Sequence, residues 1–92
     1  MLTTSRTARF KKDYKREIKG KHRATLDEEL LSLVSLLGTD QPLPEKFHDH
    51  SLTGDYTDHR ECHLHPDLLL IYKKPDDHTL RLVRLGSHSE LF

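Results

Sequence analysis

Arg60-Glu61-Cys62-His63-Leu64-His65-Pro66-Asp67-Leu68-Leu69-Leu70-Ile71-Tyr72 is the stretch that decides the fold. Its first half alternates, with Arg60, Cys62 and Leu64 on one side of an extended chain and Glu61, His63 and His65 on the other. That is the period of a strand with two different faces, and we place it over Thr57 to Leu64. His65-Pro66-Asp67 then reads as a turn. Leu68 to Tyr72 is an unbroken apolar run, as expected of a central strand. Lys74-Pro75-Asp76-Asp77 supplies a second turn and Thr79 to Leu85 a further strand. Gly86 breaks that strand, leaving Ser87 to Phe92 as a short tail. The C-terminal third is an antiparallel meander.

Upstream the period changes. Phe10, Tyr14 and Ile18 recur at four-residue spacing, one face of a helix that Gly20 ends. Leu26, Leu30, Leu33, Val34 and Leu37 form the stripe of a second helix. Thr25 and Glu28 have the spacing of a capping box at its start, and Gly38 stops it. A short turn between the two helices makes them an antiparallel pair. Leu2 to Thr4 is a candidate first strand, and Thr39 to Gly54, with Pro42 and Pro44, is a loop. The expectation is therefore α+β, with two N-terminal helices packed on an antiparallel sheet, in one domain over residues 1–92.

Composition narrows the function classes. The chain has 92 residues, of which 34% are hydrophobic and 33% charged, so its core must be small. Lys+Arg and Asp+Glu balance at 15 each. The balance conceals an asymmetry: residues 1–24 hold nine basic and two acidic side chains, and the remainder is acidic by the same margin. A basic stripe on the first helix suits a polyanion or an acidic protein, or it is a solvated face. The single cysteine, Cys62, excludes an intrachain disulfide. No apolar run is long enough to span a membrane and no signal-peptide core follows Met1, so a cytoplasmic protein is expected.

Eight histidines in 92 residues are the unusual feature. His22 and His78 sit in polar, turn-like contexts and receive no role. His48 with His50, or His63 with His65, could pair on a metal, but no zinc-ligand spacing is present and Cys62 faces away from His63, so neither a metal nor a cofactor is expected. Cys62 itself reads as a buried, inert thiol. What remains is metal-free acid–base chemistry, because imidazole gains and loses protons near neutral pH. Glu61 and His63 share a strand face, Asp67 follows the turn, and Arg84 and His88 bracket the end of the last strand. Arg84 has the parity of Leu80 and Leu82. It therefore lies at a sheet margin, on a bulge, or in a cleft.

Three segments carry a resemblance. Asp49-His50-Ser51-Leu52-x-Gly54, Arg60 through Tyr72, and Leu82-Val83-Arg84-Leu85-Gly86-Ser87-His88-Ser89-Glu90-Leu91-Phe92 resemble the YafQ branch of the RelE/ParE superfamily of bacterial type II toxins. The resemblance covers essentially the whole chain. It implies a RelE-like fold and a ribosome-dependent mRNA endonuclease neutralised by a cognate antitoxin. By motif position it implies His50, His63, Asp67, Arg84, His88 and Phe92 as functional residues, with Glu61 as a further candidate. One departure is Leu68, where the pattern can carry tryptophan.

RNA brings its own nucleophile, the 2′-hydroxyl. Cleavage without a metal then needs a base for that proton, a cation for the phosphorane charge and an acid for the leaving 5′-oxygen. Arg84 is assigned the phosphate and Phe92 a stacked base. His88 and Asp67 are candidates for acid and base, with His50 and His63 supporting or sharing those roles. Lys11, Lys12, Lys15 and Arg16 are assigned to ribosomal RNA. The expected partners are the ribosome, mRNA and an antitoxin, the free toxin being monomeric or weakly associating. Two other classes stay open: a ParE-type toxin acting on DNA gyrase, and a catalytically silent RNA- or protein-binding module.

Overall fold

A computed structural model describes residues 2–39 and 42–92. Residues 40 and 41 of the expected loop, and residue 1, lie outside the described residues. Strand β1 (Thr3–Arg6) leads into helices α1 (Ala8–Glu17) and α2 (Leu26–Leu37). A short strand β2 (His50–Ser51) follows, then β3 (Arg60–His65), β4 (Leu68–Asp76), β5 (Thr79–Gly86) and a terminal turn of helix α3 (His88–Leu91). The strands form one sheet in the order β1-β5-β4-β3-β2.

The apolar run makes β4 the centre of the sheet, covered on both faces. On one face Leu68, Leu70 and Tyr72 join Cys62, Leu80, Leu82 and Leu85 beneath Phe10, Leu26, Leu33 and Leu37 of the helices. On the other, Leu69 and Ile71 pack under Leu91, Leu52, Tyr56 and Val83. Leu68, Leu69, Leu70 and Ile71 are each at most 1% exposed. A fully buried side chain of this size contributes about 1.5–3 kcal/mol, so this run is the largest local source of stability. Phe10 is buried, and Tyr14 and Ile18 pack against the same core, as the four-residue spacing predicts.

Several expectations change. The sheet is mixed, because β1 pairs parallel to β5 while the other pairs are antiparallel. β1 also begins and ends later than Leu2 to Thr4. The Thr25–Glu28 capping box is absent; the Thr25 hydroxyl bonds Glu29 instead. Helix α1 is capped at Ile18, before Gly20. The second hairpin turns tightly at Asp77-His78, with Asp76 accepting from the His78 amide at 2.8 Å, and β4 runs on through Lys74-Pro75 as an irregular stretch. β5 ends at Gly86, one residue beyond the expected Leu85. Ser87 to Phe92 is no tail: the Ser87 hydroxyl accepts from the Glu90 amide and the Glu90 carboxylate accepts from the Ser87 amide, a reciprocal cap that winds α3.

One buried carboxylate ties the helices to the sheet. β1 covers the outer edge of β5 only as far as Leu82, so the backbone beyond it needs other partners. Side chains from α1 and its cap provide them. The Thr7 hydroxyl donates to the Val83 carbonyl at 2.7 Å. Asp13 accepts from the Leu85 amide at 3.1 Å and from Arg84 Nε at 2.7 Å. Arg16 donates to Asp13 at 3.0 Å and to the Leu85 carbonyl at 2.8 Å. Gly86 leaves room for this guanidinium, since a Cβ there would lie 2.7 Å from Arg16 Nη2.

Burial pushes the Asp13 carboxyl up, but hydrogen bonds from Arg84 and Leu85 and the charges of Arg84 and Arg16 outweigh it and hold the group below its usual range. The ionised form is therefore worth more folded than unfolded. Its contribution is complete above the unfolded carboxyl value and lost as pH falls through the folded one. Asp13→Asn is expected to cost about 3 kcal/mol in urea unfolding at pH 7, with a smaller cost at pH 3, because it leaves Arg84 without its counter-charge. Equal stability of the two chains at pH 7 would contradict this account.

Candidate active site

The face of the sheet away from the helices carries most of the residues singled out by the sequence. His50 pairs with Glu61, Glu61 with Ile71, and Ile71 with Arg84, so one row crosses β2, β3, β4 and β5. The next row holds His63, Leu69 and Gly86. Strands lie about 4.8 Å apart, which puts Glu61 and Arg84 about 10 Å from one another on the same side.

Two irregularities set what points where. Between Tyr72 and Ile71 the facing strand goes from Leu82 to Arg84, leaving Val83 as the extra residue. This bulge reverses the parity of Arg84 and settles the three-way choice left by the sequence. A second bulge leaves Leu64 unpaired between His63 and His65. Leu64 still packs in the core that holds Cys62, so the alternation expected over Arg60 to His65 fails only at His65. His65 turns toward the helices, where it stacks on His22 with centroids 4.2 Å apart and bonds Glu29 at 2.9 Å.

Loop 42–49 is held down by Asp49, which accepts from the Tyr72 hydroxyl at 2.6 Å and from Arg60 at 3.1 Å. Burial and this bond push the Tyr72 phenol up. The anchor brings His48 and His50 over β3. Glu61, only 4% exposed, then serves two imidazoles through one oxygen: His63 Nε2 at 3.2 Å and His50 Nε2 at 3.5 Å. His50 Nδ1 lies 2.8 Å from the His48 carbonyl. A carbonyl only accepts, so that nitrogen carries a proton, and the contact with Glu61 becomes an ion pair when Nε2 is protonated too. A cavity of about 590 Å³ opens here, lined by His48, His50, His63, His65 and Lys46.

Arg84 opens into a second cavity, of about 470 Å³, with Arg9, Asp55, Tyr56 and Phe92. Leu91 seats α3 on Leu69 and Ile71, which brings the Phe92 ring 5.7 Å from Tyr56 and 4.8 Å from His88. His50, Glu61 and His63 thus form one cluster, and Arg84, His88 and Phe92 lie on a second, across the apolar centre of the same face. Asp67 joins neither. It pairs with Lys21 and with His22 at 3.2 Å, and the Lys21 hydrogen bond holds its carboxyl below the usual range. Lys11, Lys12 and Lys15 are exposed on α1, whereas the Arg16 guanidinium is spent on Asp13, Glu17, Glu90 and the Leu85 carbonyl. Cys62 is fully buried, and burial pushes its thiol up, away from the reactive thiolate.

The sequence reading passed over Asp13, Asp49, Arg9 and Tyr56. Asp49 stood inside a quoted motif, and its placement before His50 was the available signal. The others act through contacts distant in sequence.

Comparison with known proteins agrees with this fold. Residues 2–92 match the family model described as the YafQ bacterial toxin of type II toxin–antitoxin systems. The mRNA interferase toxin YafQ of Escherichia coli K12 is 40% identical over 60 residues, 65% of this chain and 64% of that protein, so the match spans just under two thirds of the relative. A metal-bound toxin from Helicobacter pylori superposes with a TM-score of 0.84 at 48% identity, covering 100% of both chains. The E. coli DinJ–YafQ toxin–antitoxin complex matches at 0.83 and 35% identity, covering 99% of this chain and 97% of that one. Among the described residues no three His, Cys, Asp or Glu side chains are placed to hold a metal ion, and no helix is long and apolar enough to cross a membrane. On its sequence match and its fold, the chain belongs to the YafQ family of bacterial toxins of type II toxin–antitoxin systems.

Proposed function

We propose that this chain is an mRNA endonuclease that acts on the ribosome, in the cytoplasm, and is neutralised by a cognate antitoxin. The row His50–Glu61–Ile71–Arg84, with His63, His88 and Phe92 on the same face, carries the reading. The name of the E. coli K12 relative and the antitoxin complex of E. coli YafQ support it.

Glu61 orients the acid–base pair. With His63 Nε2–H donating to Glu61, Nδ1 is left to take the 2′-hydroxyl proton, so His63 is the general base. His50, its Nδ1–H held by the His48 carbonyl, gives a proton from Nε2 to the leaving 5′-oxygen. The two ring centroids lie 6.4 Å apart, and both rings line the cavity that receives the scissile phosphate. The attack closes a 2′,3′-cyclic phosphate and releases a 5′-hydroxyl end. Arg84 offers its guanidinium N–H groups to a phosphate flanking the scissile one, His88 supports the chemistry from α3, and Phe92 stacks on a base. Asp67 has the lesser part of steadying the turn between β3 and β4 against the turn between the helices. Free toxin is monomeric or weakly associating, and the exposed lysines of α1 meet ribosomal RNA.

His63→Ala and His50→Ala are each expected to slow mRNA cleavage on translating ribosomes by about 10²–10⁴-fold, and Asp67→Asn by much less. Mapping of mRNA 5′ ends after brief induction reads all three, and wild-type rates in both histidine variants would reject the assignment. Cleavage is expected to persist in excess EDTA; loss of activity restored only by added metal would overturn the metal-free route. Replacing Lys11, Lys12 and Lys15 with glutamine should lower the salt slope of ribosome binding by about 2 to 3. An unchanged slope would remove α1 from the interface.

A further inference from the structure

The cavity around Arg84 has more in it than the proposed nuclease chemistry uses. Arg84 is not a free cation. Its Nε and Nη2 donate to Asp13 at 2.7 and 3.3 Å, and a further hydrogen bond joins it to Tyr56. A phosphate meeting this guanidinium meets a group whose charge is already compensated. Arg9, on the first turn of α1, lines the same cavity, is exposed, and makes no ion pair among the described residues. It supplies the positive charge that Arg84 lacks.

The aromatic wall is also double. Tyr56 meets Phe92 edge-on at 75°, and Phe92 keeps 54% of its surface exposed although α3 is capped and packed. A phenyl ring held in place but left open is a platform for another flat group. Thr53 and Asp55 complete the rim, and Asp55 forms no ion pair among the described residues, so its carboxylate repels a phosphate and accepts from N–H groups. Cations at one part of the cavity, rings beside them and a lone acceptor at the rim match a single nucleotide. The volume of about 470 Å³ is in the range of small-ligand sites.

We propose that Arg9 and Tyr56 join Arg84 and Phe92 to form a pocket for one nucleotide of single-stranded RNA, with its phosphate on the guanidiniums and its base on the rings. The inference rests on the nuclease reading for its substrate class, and it assigns the pocket to holding a nucleotide flanking the scissile bond rather than to proton transfer. Arg9 and Tyr56 are binding residues.

The test uses the full chain and a 2′-O-methyl RNA tetranucleotide, which cannot be cut. In amide NMR spectra, titration to millimolar concentration is expected to shift Arg9, Thr53 to Tyr56, Arg84 and Phe92. Arg9→Gln, a surface change, and Tyr56→Leu should each weaken binding roughly tenfold or more, and Tyr56→Phe should retain it, since stacking needs the ring and not the hydroxyl. A salt titration should flatten in Arg9→Gln alone. Absence of shifts in the wild type, or equal affinity of the Arg9→Gln and wild-type chains, would overturn the pocket. Ribosomal cleavage is followed separately. If the wild type binds the oligonucleotide but cuts no mRNA, the nuclease reading falls and the pocket stands; if it cuts while Arg9→Gln binds and cuts equally, the pocket falls alone.

Discussion

The free outer edge of β5 is the constraint from which the rest of this structure follows. β1 is four residues long and leaves the last half of β5 without a strand partner on that edge. Backbone amides and carbonyls near a core must find hydrogen bonds. Here they find Thr7, Asp13 and Arg16, supplied by α1 from its N-cap to its last turn. The same carboxylate that satisfies the Leu85 amide also fixes Arg84, so the closure of the sheet and the orientation of this guanidinium are one arrangement. Glu90 reaches Arg16 as well, which couples α3 and its Phe92 to this junction.

Much of the fold was legible. The meander, the two helices and the central position of Leu68 to Tyr72 follow from periodicity, because burial imposes period 2 on strands and 3.6 on helices. The failures have a common cause. Two bulges, at Leu64 and Val83, insert one residue each and reverse every parity assignment beyond them. No composition signal marks a bulge made of ordinary apolar residues. The parallel pairing of β1 was equally hidden, since four polar residues at a sheet margin carry no pattern. The reciprocal cap of Ser87 and Glu90 was visible as Ser-x-x-Glu, but four residues fall below what periodicity detects.

The site was legible in part. Glu61 and His63 on one strand face, with His50 from the preceding loop, follow from alternation and motif spacing, and the structure brings these three together. For Asp67 and Arg16, residue type gives the chemistry but not the neighbours. Both have the right chemistry for RNA work, and both are engaged by neighbours that only folding provides: Lys21 and His22 for one, Asp13 and Glu90 for the other. Asp13 was invisible for the opposite reason. In a helix of lysines and arginines it looks like a charge-balancing surface residue, yet among the described residues it is the most buried acid, at 3% exposure.

The engagement of Arg84 by Asp13 means that any anion approaching this guanidinium competes with a carboxylate already in place. An arginine paired in this way offers a weaker grip than a free one. The ion pair that closes the sheet edge therefore also sets a ceiling on how tightly this corner of the molecule holds a negative group.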